Sequence, residues 1–142
     1  MPSRSERLQP AVDQAQRRQK DALQRLAEQQ QKLAHAEQQI EELKRYRADY
    51  GVSGGGLTVS ALLNRQQFVE RVDQAIVQQS RLIERLERQV NAARERWLQA
   101  HARENALGTV VDRLRNQEEQ REQRLEQAEV DERIQHRRRG TP

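Results

Sequence analysis

The 142-residue chain contains no cysteine, so it can form neither a disulfide framework nor a thiolate metal site. Aromatic residues make up only 3% of it and hydrophobic residues 34%, which is too little apolar volume for an ordinary compact core. No uninterrupted apolar run approaches membrane-spanning length. The first residues, Met1-Pro2-Ser3-Arg4-Ser5-Glu6, lack the apolar stretch of a secretory signal, and the expectation is a soluble cytoplasmic protein. Proline and glycine are also scarce, at three and six, and four of the glycines fall between Gly51 and Gly56. Chain breakers are therefore confined almost to one place. What is abundant is Gln, Glu, Arg, Ala and Leu, the residues of long exposed helices.

These residues carry a regular pattern. A stripe of mainly apolar and small side chains recurs at alternating spacings of four and three: Leu8, Val12, Ala15, Gln19, Ala22, Leu26, Gln29, Leu33, Ala36, Ile40, Leu43, Arg47 and Tyr50. A second stripe reads Leu62, Arg65, Val69, Val72, Ile76, Gln79, Ile83, Leu86, Val90, Ala93, Trp97, Ala100, Glu104, Leu107, Val111 and Leu114. A mean repeat of 3.5 residues keeps one narrow face toward a partner helix, which is the signature of a left-handed coiled coil. The glycine cluster between the stripes turns the chain back. The predicted fold is all-α: two long helices in an antiparallel coiled-coil hairpin, with the second longer than the first. As a single domain over 1–142, the expected bounds are helix one at about 8–50, a loop at 51–58, helix two at about 59–135 and a disordered tail at 136–142. Pro10 suits a first helical turn, although a start a few residues earlier with a bend at Pro10 fits as well. Thr58 or Ser60 can cap the second helix.

Side-chain volumes suggest a register in which facing residue numbers total 112. This sets Tyr50 beside Leu62, Leu26 beside Leu86, and Trp97 in a slot opposite Ala15. Helix two then overhangs helix one by about thirty residues, or roughly 45 Å at about 1.5 Å per residue. The overhang's stripe weakens after Leu114, where Glu118 and Arg121 occupy seam positions.

No catalytic site is discernible. His35, His101 and His136 are isolated, the glycine run lacks the Lys-Ser/Thr of a phosphate loop, and two helices supply no water-excluding pocket. Neither a cofactor nor a metal is called for. Lys plus Arg number 26 against 22 acids, a net charge of +4 with interleaved signs, which disfavours nucleic acid as a partner. The lateral edge of the hairpin is more distinctive. Near the loop it gathers Gln39, Tyr46, Phe68, Ala75 and Leu82, with Tyr50 and Val72 behind, so three of the four aromatics collect at one end. Further away the same edge is basic: Lys32, Arg25 and Arg18 from helix one, Arg96 and Arg103 from helix two. An aromatic tip and a cationic flank point to a docking part rather than an enzyme.

The stretch Leu43-Lys44-Arg45-Tyr46-Arg47-Ala48-Asp49-Tyr50, the run from Phe68 to Gln79, Ala93-Arg94-Glu95-Arg96-Trp97-Leu98-Gln99-Ala100, Ala106-Leu107 and the tail Glu129-Val130-Asp131-Glu132 together resemble the flagellar export protein FliJ family. The similarity covers essentially the whole chain. It implies a non-catalytic stalk of the flagellar type III export apparatus, similar to the central stalk of rotary ATPases. Such a stalk would sit in the hexameric ring of the export ATPase FliI and link it to the export gate protein FlhA. FliH and export chaperones are further partners, and the place of action is cytoplasmic, peripheral at the inner-membrane export apparatus. By position, Gln39, Leu43, Tyr46, Tyr50, Phe68, Val72, Ala75 and Gln79 match the family's gate-docking surface. Gln79 stands where some members carry histidine. The basic edge, Arg18, Arg25, Lys32, Arg96 and Arg103, is the candidate contact for the ATPase ring. The equivalent stalk of a virulence-type injectisome, or a generic coiled-coil scaffold, is the alternative.

Overall fold

A computed structural model describes residues 2–52 and 58–140. Two helices account for nearly all of them: α1, Arg4–Val52, and α2, Val59–Arg139, of 49 and 81 residues. They form an antiparallel coiled-coil hairpin, and α2 is the longer.

The start of α1 lies ahead of Pro10, and local chemistry explains why. Ser3 and Glu6 form a capping box: the Glu6 amide donates to Ser3 Oγ at 3.3 Å, and the Ser3 amide donates to Glu6 Oε2 at 3.4 Å. The first turn closes with Arg7 N donating to Ser3 O at 3.0 Å. Pro10 sits inside the helix at an exposed position, where the carbonyl it leaves without a donor can meet water. At the other end α1 passes through Gly51 to Val52, because one glycine costs a helix only about 1 kcal/mol. The glycines at 54–56 lie outside the described residues, as do Thr141 and Pro142. Thr58 caps α2, accepting at Oγ1 from the Ala61 amide at 3.2 Å. The helix runs beyond Gln135 to Arg139, with His136, Arg137, Arg138 and Arg139 in its last turn, where cations complement the helix dipole.

Every position of the apolar stripes is withdrawn from solvent except the two nearest the loop, Tyr50 and Leu62. Burial is nevertheless thin. The chain exposes 11939 Å², whereas a compact monomer of this mass exposes roughly 7,600 Å². Two helices cover one stripe of each other and no more.

Contacts divide the chain into two units: Asp21–Leu98, and Met1–Lys20 with Gln99–Pro142. In the first, Leu26, Val90 and Ala93 form the core cluster, and Leu33 and Trp97 pack against it. The register here differs from the expected one. Gln39 lies beside Gln79 and Tyr50 beside Phe68, each pair totalling 118, and Arg47 lies beside Asp73, totalling 120. This is a slip of one heptad from 112, and it sets Trp97 level with Ala22. The physical reason is polar. A total of 112 would put Arg47 against Arg65 and the Gln79 amide against Leu33. In the observed register Arg47 Nε donates to Asp73 Oδ1 at 2.8 Å, and Gln79 Nε2 donates to Ala36 O and Gln39 Oε1, both at 3.0 Å.

In the second unit Val12, Ala15 and Val111 are buried, and the seam continues into polar residues. Ser5, only 4% exposed, donates from Oγ to Glu118 Oε2 at 2.7 Å and from its backbone amide to Glu118 Oε1 at 3.2 Å. Arg115 Nη2 donates to Gln9 Oε1 at 3.3 Å. Beyond Glu118, residues 119–139 are helical and exposed, an overhang of roughly 30 Å rather than 45 Å. Both the earlier start of α1 and the slipped register shorten it.

Candidate docking surfaces

The surface near the loop belongs to the unit Asp21–Leu98. Its centre is a stacked pair: the rings of Tyr50 and Phe68 have centroids 4.4 Å apart and planes tilted by 30°. They remain 38% and 37% exposed, and Tyr46 is 60% exposed. The heptad slip decides which tyrosine meets the phenylalanine. A total of 112 sets Tyr46 beside Phe68; the observed register sets Tyr46 level with Ala75 and brings Tyr50 onto Phe68. Val72 is buried, and Leu43, Ala75 and Gln79 are half-buried. Gln39 is exposed and accepts from Gln79. Of the eight candidate residues, Gln39, Tyr46, Tyr50 and Phe68 are thus exposed, and Leu43, Val72, Ala75 and Gln79 are withdrawn from solvent. The ion pair Arg47–Asp73 braces this region, and the exposed Leu62 and Leu63 in the first turns of α2 extend its apolar character.

The basic residues divide between the two units. Arg25, Lys32 and Arg96 belong to the first, where the register puts Arg25 level with Arg96. Arg18 and Arg103 belong to the second, again at matching edge positions. All five are exposed, and none forms an ion pair. Like charges facing across a seam repel, so each pair weakens the hairpin slightly instead of tightening it. Arg96 and Arg103 have no acid three or four residues away on their own helix, only alanine, glutamine and leucine. Among the described residues, none pairs with their charge.

Among the described residues no group of His, Asp and Glu could hold a metal ion, and no helix is long and apolar enough to cross a membrane. One polar cluster had no clear sequence signal: the clasp of Ser5 and Glu118. The Glu118 carboxyl is held below its ordinary value, first by the Ser5 hydroxyl, then by the Ser5 amide, with smaller help from Ser3 and Arg115 against partial desolvation. Its partner amide belongs to the first turn of α1, where a carboxylate is favoured. Ser3-Arg4-Ser5-Glu6 signals only the helix start, as a capping-box pattern ahead of Pro10.

The family described as Flagellar FliJ protein matches residues 4–141, nearly the whole chain. The chain belongs to the FliJ family. No curated protein and no solved structure matches it significantly. Membership makes this a flagellar protein-export component, and the two-helix coiled coil described above is the FliJ-family chain in structural form. The stacked Tyr50–Phe68 pair and the unpaired edge cations are two surfaces of this FliJ-family protein that its internal packing leaves unexplained.

Proposed function

We propose that this FliJ-family protein is a non-catalytic stalk and adaptor of the flagellar type III export apparatus. One surface docks on the export gate protein FlhA: Gln39, Tyr46, Tyr50 and Phe68 make contact, and Leu43, Val72, Ala75 and Gln79 hold them in place. The other surface contacts the ring of the export ATPase FliI through Arg18, Arg25, Lys32, Arg96 and Arg103. Binding the assembled ring in preference to free subunits favours assembly by mass action and thereby raises ATPase activity. FliH and the export chaperones are further partners, and the protein works in the cytoplasm, peripheral to the inner membrane through the proteins it binds.

The observation that carries the reading is family membership over residues 4–141, joined to an aromatic stack left a third or more exposed. Large aromatics in a partly desolvated, polar-bordered patch are the residues that dominate binding energy at interfaces. The test pairs two measurements on the full chain. Tyr46→Ala with Phe68→Ala should weaken FlhA binding with helicity intact, while stimulation of FliI activity persists. Replacing Arg18, Arg25, Arg96 and Arg103 with Gln should do the reverse. Unchanged FlhA affinity in the first variant, or unchanged FliI stimulation in the second, refutes the corresponding surface.

A further inference from the structure

Two oppositely charged rows lie on α2 outside both surfaces described above. Arg81, Arg85 and Arg88 share the face of α2 turned away from the seam, and with Gln78 and Glu84 they line a groove there. Glu119, Glu122, Glu126 and Glu129 form a row on the exposed overhang. All seven are exposed, and none forms an ion pair in its own chain. Like charges three and four residues apart on a helix are neighbours and repel, which Glu84, three residues from Arg81 and four from Arg88, offsets only in part within the arginine row.

The spacings are complementary. From Arg81 the cations step by four and then three residues; from Glu126 backwards the acids step by four and then three. Laid antiparallel, Arg81 meets Glu126, Arg85 meets Glu122 and Arg88 meets Glu119, each pair totalling 207 in residue number, and Gln78 meets Glu129. A single offset therefore satisfies three charges on each side. A helix does not fold onto itself, so rows on the same helix can pair only between copies.

We infer that the overhang of one copy docks its glutamate row on the arginine row of a second copy, giving weak antiparallel self-association driven by charge. Relief of repulsion within both rows adds to the attraction between them. Exposed ion pairs are individually weak and screened by salt, so the association depends on concentration and ionic strength. It is independent of the export role proposed above.

Sedimentation velocity of the full chain tests it, with salt at about 0.05 M and about 0.5 M. The wild-type chain is expected to sediment faster with rising concentration at low salt only. Arg81→Glu/Arg85→Glu/Arg88→Glu and Glu119→Arg/Glu122→Arg/Glu126→Arg should each weaken association about tenfold or more, as loss of three exposed pairs implies. Arg81→Gln/Arg85→Gln/Arg88→Gln, a milder change checked for helicity by circular dichroism, should weaken it too. An equimolar mixture of the two reversed variants should associate again, because the charges are swapped and the spacing kept. A wild-type chain that stays monomeric at low salt overturns the inference. So does a mixture that associates no better than either reversed variant alone.

Discussion

Among the described residues, the seam residue Gln29 buries a side-chain oxygen that has no hydrogen bond, and replacing it should make the protein more stable. Gln29 occupies a seam position between Leu26 and Leu33 on α1 and level with Val90 on α2; its Oε1 is buried with no partner. A buried carbonyl deprived of a hydrogen bond costs about 1–3 kcal/mol. Gln29→Leu removes that acceptor and adds apolar contact with the Leu26–Val90–Ala93 cluster. Leucine and glutamine are nearly equal as helix formers, so propensity does not offset the gain. A net stabilisation of about 1–2 kcal/mol is expected, which for a chain of this size raises Tm by roughly 3–8 °C. Gln29→Ala separates the two contributions, since it removes the carbonyl but leaves a gap, and it should change stability by less than about 1 kcal/mol. Reversible thermal unfolding followed by far-ultraviolet circular dichroism provides the readout. If Gln29→Leu melts at or below the wild-type temperature, the carbonyl is satisfied in solution and the reasoning fails.

Two further changes probe the other half of the chain. The Glu118 carboxyl has its pKa lowered on folding, so the stability it contributes is present above the unfolded carboxylate range and is lost as pH falls through the depressed folded value. Glu118→Gln should therefore abolish the acid-dependent opening around Ser5, read as hydrogen exchange of the Ser5 amide; an identical pH profile in wild type and variant would remove the clasp as the cause. Gly108 lies inside α2, and a Cβ built there meets nothing within 4 Å, so Gly108→Ala should stabilise the protein by about 1 kcal/mol through helix propensity alone. A loss of stability in thermal unfolding would show that the glycine answers a constraint other than space.

The seam was legible because burial follows period. From Leu8 to Arg47 and from Arg65 to Leu114, each position that the alternating three-and-four spacing assigns to the interface is withdrawn from solvent. Thr58 was legible as a cap for a similar reason, since its hydroxyl is the natural acceptor for the amide three residues on. The start of α1 was harder to read. Pro10 carries a strong helix-start signal of its own, and the Ser3–Glu6 box competes with it from seven residues upstream. Glu118 looked like decay of the stripe because a lone carboxylate in a seam is costly; only the Ser5 amide and hydroxyl, more than a hundred residues earlier, make it favourable. Of the candidate docking residues, the sequence placed Tyr46, Tyr50 and Phe68 near the loop but paired the wrong tyrosine with the phenylalanine.

That error has one physical source. An apolar stripe with a seven-residue period looks the same after a slip of seven, so leucines and valines specify that two helices pair but not which heptad faces which. The small-residue slot for the indole does not discriminate either, because Ala15 and Ala22 are one heptad apart and equally small. Polar groups break the degeneracy, as buried polar residues do in coiled coils generally. The Gln79 amide has two acceptors at Ala36 O and Gln39 Oε1 in the observed register, and Arg47 finds Asp73 there. Both would be mismatched one heptad away. These contacts are mostly exposed and individually worth little, yet they act on a difference between registers that the apolar seam leaves close to zero. The composition of each edge follows from that choice. It decides that Tyr50 rather than Tyr46 stacks on Phe68, and that Arg25 lies level with Arg96, so the polar residues of the seam determine what the outer surface presents to a partner.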